Sequence, residues 1–303
     1  MQILMFPGQG TQYPKIYNDF KYVSAYRDTF YEASEYLNLD ITNICSNLCD
    51  NELKLTENAQ LAVFVHNMAI YNILRSYEEI NICTVGYSLG QINSFVAAGA
   101  LDFKSGLEIV RKRSELMSNS PTGGGMFAIS GISETFLLEE ILNKQLKVYI
   151  AIINSETSFV ISGILKDILQ LKDVITRKYT VRMTQIAVNR AFHTPIMLPI
   201  VQEFKDFISD YKFNDCKIPV ILNSTGQFAT DARDIKGELV NQITSPVLWK
   251  QSMDLMLQKY GYEITYVEVG ARKSLTKILL NISPNATIKS TNNLEEIYDS
   301  IWR

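Results

Sequence analysis

Apolar positions along the chain change their period several times, and each change marks an element. QILMF at 2–6 is an unbroken apolar run short enough for a buried strand, and it stops at the turn Pro7-Gly8-Gln9-Gly10. Polar, aromatic-rich helical stretches follow. QLAVFVHNMAIYNILRSY at 60–77 then predicts a strongly apolar helix, and INICTV at 80–85 a second buried strand running into GYSLG and the helical QINSFVAAGAL. A third helix is expected over KSGLEIVRKRSELMSNS, which carries Arg111, Lys112 and Arg113.

At Pro121-Thr122-Gly123-Gly124-Gly125 the rhythm changes. MFAISG reads as a strand, SETFLLEEILNK as a helix, KVYIAIINS and TSFVISG as strands, KDILQLKDVITRK as a helix and VRMTQIAV as a strand. Strand-helix-strand-strand-helix-strand is the order of a ferredoxin-like unit. The pattern therefore predicts a small inserted domain over 124–191, splitting a large domain into 1–123 and 192–303. The large domain resumes with a helix at 195–209, strand IPVILNS at 218–224, another helix, strand ITYVEVG at 264–270 and a final helix. Near-continuous apolar strands alternating with helices argue for a parallel sheet covered on both faces. The expected fold is α/β, with an α/β-hydrolase-like parallel-sheet large domain and an inserted ferredoxin-like small domain.

Composition agrees with a globular chain and excludes several function classes. In 303 residues, 47% are apolar and 20% charged, which rules out disorder and fibrous architectures. A formal charge of −3 provides no global attraction to nucleic acid or an anionic membrane. The four cysteines, Cys45, Cys49, Cys83 and Cys216, are too scattered for a disulfide framework. Cys45 and Cys49 could share a helix face, but two thiolates do not complete a zinc shell, so no metal site is expected. The start, MQILMFPGQG, has no basic stretch ahead of its apolar run and does not read as a signal peptide. No run of apolar residues is long enough for a membrane span, and a cytoplasmic protein is the expectation.

The sharpest chemical signal is Gly86-Tyr87-Ser88-Leu89-Gly90, which fits G-x-S-x-G with a predicted strand before it and a helix after it. A strand that turns at once into a helix holds its central residue in a strained conformation, and glycines two positions away on each side let the backbones pass. Ser88 is thus a candidate nucleophile. Serine needs a base, and the chain has two histidines. His66 lies mid-helix among Phe64, Val65, Met68 and Ala69 and reads as a packed helix residue. His193 sits in Arg190-Ala191-Phe192-His193-Thr194-Pro195, just ahead of a helix capped by Thr194 and opened by Pro195. The positive end of that helix would keep the ring neutral and able to take a proton. An oxyanion would find donors in the backbone N–H of Leu89 and in another strand-end loop. Gly8-Gln9-Gly10 is one such loop, though alone it reads better as a plain turn.

Taken together, Pro7-Gly8-Gln9-Gly10, Gly86-x-Ser88-Leu89-Gly90, Arg113 and Ala191-Phe192-His193, with Gln242 and Pro246-Val247-x-Trp249, resemble the malonyl-CoA:acyl carrier protein transacylases. The pattern is closest to the stand-alone acyltransferases that serve polyketide synthases. The resemblance spans essentially the whole chain. It implies a ping-pong reaction in which serine takes malonyl from coenzyme A and yields it to the phosphopantetheine thiol of an acyl carrier protein. Ser88 would be the nucleophile, His193 the base, and the backbone carbonyl of Gln242 the group that orients the ring. Gln9 and Leu89 would supply the oxyanion amides. Arg113 would grip the free malonyl carboxylate, although in isolation it reads as a solvated base in a KR-rich helix. Phe192 resembles the malonyl-selective version of the family, whose ring crowds an α-methyl branch. Two residues depart from the family pattern: Tyr87 stands where histidine is usual, and Arg190 where a small residue is common.

The resemblance implies no bound cofactor, a coenzyme A thioester as substrate, and an acidic carrier protein as partner. Segment 164–191 carries Lys166, Lys172, Arg177, Lys178, Arg182 and Arg190 against Asp167 and Asp173. Complementary charge makes Lys172, Arg177, Lys178 and Arg182 candidate docking residues, a solvated helix face being the other reading. The rival functions are an acyl hydrolase acting on carrier-bound chains, transfer of a different acyl group, and a silent binding module of the same fold. A monomer is expected, and the GGGM stretch at 123–126 leans toward the polyketide-type enzyme over a fatty acid enzyme.

Overall fold

Among the described residues of the computed structural model, 1–75 and 81–302, ten strands form two sheets. In chain order they are β1 (Gln2–Phe6), β2 (Asn81–Gly86), β3 (Gly124–Ser130), β4 (Val148–Ser155), β5 (Ser158–Ile164), β6 (Arg182–Gln185), β7 (Val220–Ile221), β8 (Phe228–Ala229), β9 (Thr265–Glu268) and β10 (Thr287–Ser290). The predicted helix at 60–77 and strand at 80–85 fall at 76–77 and 80 outside the described residues.

The larger sheet runs β10-β9-β1-β2-β7-β8. All its pairings are parallel except β7 with β8, so the sheet carries one antiparallel edge that the apolar runs do not announce. Every residue of β1 is buried, as expected of a central strand packed on both faces. The helix Thr56–Leu74 is buried nearly all round, wedged between Ser24–Leu37 and Phe103–Ser118. Helix Gly90–Ala97 lies across β1 and β2.

Three expected elements differ from their sequence patterns for identifiable reasons. The strand expected at 218–224 pairs only at Val220–Ile221. Beyond it the Asn223 N–H donates to Gln91 Oε1 and the Ser224 N–H to Glu238 Oε1, so side chains satisfy the backbone in place of a neighbouring strand. The helix expected at 195–209 opens as a 3-10 segment, Pro195–Ile200, before the α-helix Val201–Ser209. Pro199 has no N–H to donate and its ring crowds the preceding turn. Cys45 and Cys49 do not share a helix, because Cys45 lies in Ile41–Asn47 and Cys49 caps the next one, Asp50–Leu53.

The smaller sheet is antiparallel in the order β4-β5-β3-β6. Helix Glu134–Asn143 connects β3 to β4, and Leu165–Lys178 connects β5 to β6. One face of this sheet closes a separate core around Phe127, Leu137, Phe159, Ile161, Ile168 and Leu171. Met126, Ile152 and Val160 join the main core instead. The Ile153 N–H donates to Val247 O and the Val247 N–H to Ala151 O, which ties β4 to the segment leading into helix Trp249–Tyr260.

Candidate active site

β1 and β2 are adjacent and in register up to Phe6 opposite Gly86, so the loops leaving both strands emerge side by side at their carboxyl ends. In open α/β sheets that is where ligands bind. After β2 the chain passes through Ser88 at φ +52, a left-handed conformation rare for serine, and enters helix Gly90–Ala97. The glycines are required here. A Cβ on Gly90 would lie 2.0 Å from Phe6 O, and one on Gly86 would lie 2.0 Å from the Gly90 carbonyl carbon. The strained turn is held by Asn223, which accepts the Ser88 N–H at 2.8 Å and donates to Gly86 O at 2.7 Å.

His193 lies on the segment that leaves β6, an edge strand of the smaller sheet. Its Nε2 lies 2.7 Å from Ser88 Oγ and its Nδ1 2.8 Å from Gln242 O. A carbonyl only accepts, so Nδ1 carries the proton and Nε2 is left to accept from the serine hydroxyl. The ring pKa is pushed down to about 4, first by burial and then by the nearby Arg113 charge, while the backbone of Gln242 and Ser245 pulls the other way. The cause differs from the helix end expected from sequence, since Thr194 leads into a short 3-10 segment. Either way the ring is neutral at pH 7.

Arg113 is only 1% exposed, the reverse of the solvated base that its KR-rich neighbourhood suggests in isolation. Gly106, Ile109, Val110, Arg113, Leu116 and Met117 are all buried on helix Phe103–Ser118, so Arg113 lies in the apolar stripe. Lys112 turns outward to Glu115 and Glu203. The guanidinium donates from Nη1 to Gln60 Oε1 at 2.7 Å and from Nη2 to Gln242 Oε1 at 3.0 Å and Ser88 Oγ at 3.2 Å. Burial lowers its pKa to about 10, which leaves it a cation at neutral pH.

Gln242 does more than the backbone role implied by the resemblance. Its side chain accepts from Arg113, while its Nε2 divides among Ser88 O, Gln91 Oε1 and Asn223 Oδ1 at 2.9–3.1 Å. Gln60 and Asn223 carry no sequence signal, because an amide acquires its role only through the partners that folding brings to it. Gln60 also donates to Gln9 Oε1 at 3.3 Å, linking the Arg113 site to the loop after β1. Leu89 is the residue before helix Gly90–Ala97, so its N–H belongs to the amides a helix start leaves without an intrahelical acceptor.

A cavity of about 370 Å³ gathers Gln9, Ser88, Leu89, Arg113, Phe192 and His193 on one side, with Met126, Ile152 and Val160 of the smaller sheet opposite. Lys54 and the segment 186–188 line both this cavity and a groove of about 720 Å³ beside it. Tyr87 fills the wall with its ring edge-on to Trp249 and its hydroxyl donating to Asn154 Oδ1 at 3.0 Å. Arg190 donates to Ser118 O at 2.7 Å, fastening the segment before Phe192 to the end of the Arg113 helix.

Elsewhere, His66 is buried with Nδ1 2.8 Å from the Tyr26 hydroxyl and is not among the residues that line the cavity. The four cysteines are free, and no cluster of His, Cys, Asp or Glu among the described residues could hold a metal ion. Among the same residues no helix is long and apolar enough to cross a membrane. Of the basic candidates, Arg177, Lys178 and Arg182 are exposed and Lys172 is half-buried. Lys178 pairs with Glu140 at 2.7 Å.

Residues 3–289 match the family model described as the acyl transferase domain. The chain is 31% identical over 289 residues to the malonyl CoA-acyl carrier protein transacylase of Bacillus subtilis (strain 168), covering 92% of this chain and 89% of that protein. It is 32% identical over 287 residues to the polyketide biosynthesis protein ThaF of Burkholderia thailandensis, covering 94% of this chain and 24% of that protein. The crystal structure of an acyl-carrier-protein S-malonyltransferase from Burkholderia pseudomallei 1710b matches with a TM-score of 0.94 at 26% identity, over 99% of each chain.

Proposed function

The chain belongs to the acyl transferase family, and from that premise we infer that it moves malonyl from malonyl-CoA to the phosphopantetheine thiol of an acyl carrier protein. The observation that carries this reading is the Ser88 hydroxyl, 2.7 Å from a neutral imidazole and 3.2 Å from a buried guanidinium. A serine hydrolase has use for the first neighbour only. The second suits a substrate whose acyl group ends in a carboxylate.

In the first half-reaction His193 Nε2 takes the Ser88 proton as Oγ attacks the thioester carbonyl. The N–H groups of Gln9 and Leu89 would receive the oxyanion, each such donor typically worth about 100- to 1000-fold in rate. Collapse breaks the C–S bond, and His193 returns the proton to the departing coenzyme A sulfur. As Oγ becomes an ester oxygen, the Nη2 hydrogen it accepted is released. That hydrogen and the second Nη1 hydrogen can then meet the malonyl carboxylate as a fork. In the second half-reaction the carrier thiol gives its proton to His193 and attacks the ester; the C–Oγ bond breaks, and His193 passes that proton to Oγ, restoring the Ser88 hydroxyl. The groove beside the cavity offers the long thioester arm a path to Ser88. Phe192 in the cavity wall supports a preference for an unbranched acyl group.

The scheme needs no bound cofactor, and its substrates suit the cytoplasm. Malonyl loaded in this way would feed polyketide or fatty acid assembly. The carrier would dock by its acidic surface against Lys172, Arg177 and Arg182, with Lys178 shared with Glu140. Charge reversal of Lys172 and Arg177 that leaves the carrier KM unchanged at low salt would dispose of that docking face.

Incubation with malonyl-CoA followed by intact-mass measurement tests the reaction. An adduct on Ser88 that passes to a pantetheinylated carrier, and is absent in Ser88→Ala, is the expected result. Rapid loss of the adduct to water would point to a hydrolase, and no adduct to a binding module.

A further inference from the structure

Glu238 is a carboxyl group that the transfer chemistry does not use, and it is 2% exposed in the large core. Burial pushes its pKa up to about 7 against the pull of bonds from Ser224 and Asn223, so the fold holds an acid where an apolar side chain would pack at less cost. Both of its oxygens accept from Ser224: the Ser224 N–H donates to Oε1 at 2.9 Å and the Ser224 hydroxyl donates to Oε2. Ser224 follows Asn223, the residue that accepts the Ser88 N–H. Glu238 itself lies on helix Ala232–Asn241, and its backbone carbonyl accepts the Gln242 N–H at 2.8 Å. Gln242 is the residue whose carbonyl accepts a hydrogen bond from the His193 Nδ1–H.

We propose that Glu238 is a positioning residue, whose carboxyl ties the Asn223-Ser224 bend to the helix end at Gln242 and so sets the alignment of Ser88 with His193. The nucleophile hangs from one side of this tie and the base from the other. The ladder with β2 ends at Ile221; past it the Leu222 N–H donates to Gln227 O and Asn223 O accepts the Leu248 N–H, while the Ser224 N–H is left to the carboxyl. Without the carboxyl, Ser224 loses both acceptors, and Asn223, although still bonded to Gln91, Gly86 and Gln242, loses the anchor on the residue that follows it. A misplacement of about 1 Å at a reacting pair can cost about 100-fold.

The proposal rests on Ser88 acting as a nucleophile activated by His193. It is tested with Glu238→Leu, Glu238→Gln and Ser224→Ala, the last removing only the hydroxyl half of the tie. Two rates are read for each: labelling of Ser88 by phenylmethanesulfonyl fluoride, and malonyl-enzyme formation from malonyl-CoA by intact mass, with kcat and KM separated. Tm is measured alongside. Glu238→Leu is expected to slow both rates about ten- to a hundredfold with the malonyl-CoA KM little changed. Ser224→Ala should fall between it and the parent. Glu238→Gln, whose amide can still accept the Ser224 N–H, should recover most of the rate. Parent-like rates in both Glu238→Leu and Ser224→Ala overturn the proposal, as does a loss that merely tracks the unfolded fraction. Should Glu238→Leu not fold, the Ser224→Ala and Glu238→Gln rates decide. A parent protein that is labelled by the sulfonyl fluoride but takes no malonyl refutes the transferase reading while leaving the Glu238 tie open to the same measurement.

Discussion

Replacing Arg113 by alanine separates a carboxylate grip from a structural role. The guanidinium is buried, cationic at neutral pH with a pKa of about 10, and tied to Gln60, Gln242 and Ser88. A charge-assisted hydrogen bond contributes about 1.5–3 kcal/mol, or roughly 10- to 150-fold in discrimination. Malonyl-CoA should therefore lose about that much of its advantage over acetyl-CoA in Arg113→Ala. The same change strips donors from two buried amides and leaves a cavity, a cost of about 1–3 kcal/mol per unsatisfied group that falls on folding. Absolute rates confuse the two effects, but competition between both thioesters in one tube does not, because the folded fraction cancels in the ratio of adducts. Retention of the parent ratio in Arg113→Ala would refute the assignment. A second readout comes with the same variant. Arg113 is the second cause, after burial, of the low His193 pKa, so its removal should move the acid limb of the acylation rate upward from about pH 4.

In the parent protein, acylation should be flat from neutral pH to about pH 5 and fall as the His193 ring is protonated through about 4, which a rapid-quench pH profile checks. Stability should track the two buried histidines. His66 is pushed down to about 3 and His193 to about 4, both by burial first, below the 6.5 of an unfolded chain. The unfolded state therefore takes up protons first, and stability is full above about pH 6.5 and erodes as pH falls toward the folded values. Between pH 7 and 5 the loss should be about 2 kcal/mol per histidine, read from urea midpoints, and His66→Gln should remove one share. Phe192→Ala should open the cavity, raise acylation by methylmalonyl-CoA relative to malonyl-CoA, and lower stability by about 3–5 kcal/mol. An unchanged acyl ratio would remove Phe192 from the selectivity argument.

Much of this molecule was legible from local pattern. QILMF, INICTV and GYSLG predicted two buried strands and a strained turn, and β1, β2 and Ser88 at φ +52 are where those runs lie. The order of elements from Gly124 to Gln185 also came from changes in period alone. Such features are local: a strand, a helix face or a glycine-bounded turn is written in consecutive residues. Signals that were short or mixed went unread. TIKS at 287–290 is an edge strand with a half-polar pattern, and the helix Leu294–Trp302 beyond it lay past the last element expected.

The helical phase of Arg113 was present in the sequence, three and four residues from Ile109, Val110, Leu116 and Met117, yet its charged neighbours concealed it. For Gln60, Asn223, Glu238 and the side chain of Gln242 no such phase exists. Their roles depend on acceptors and donors contributed by distant stretches of chain: Gln60 on Arg113, Asn223 on Ser88, Glu238 on Ser224, Gln242 on Arg113 and Ser88. Sequence by itself determined the two candidate reacting groups and the elements that bear them, because sterics and periodicity act over a few residues. Which amides hold those groups, and that a cation lies buried beside them, was decided only when burial removed water and every polar atom in the core had to find a partner.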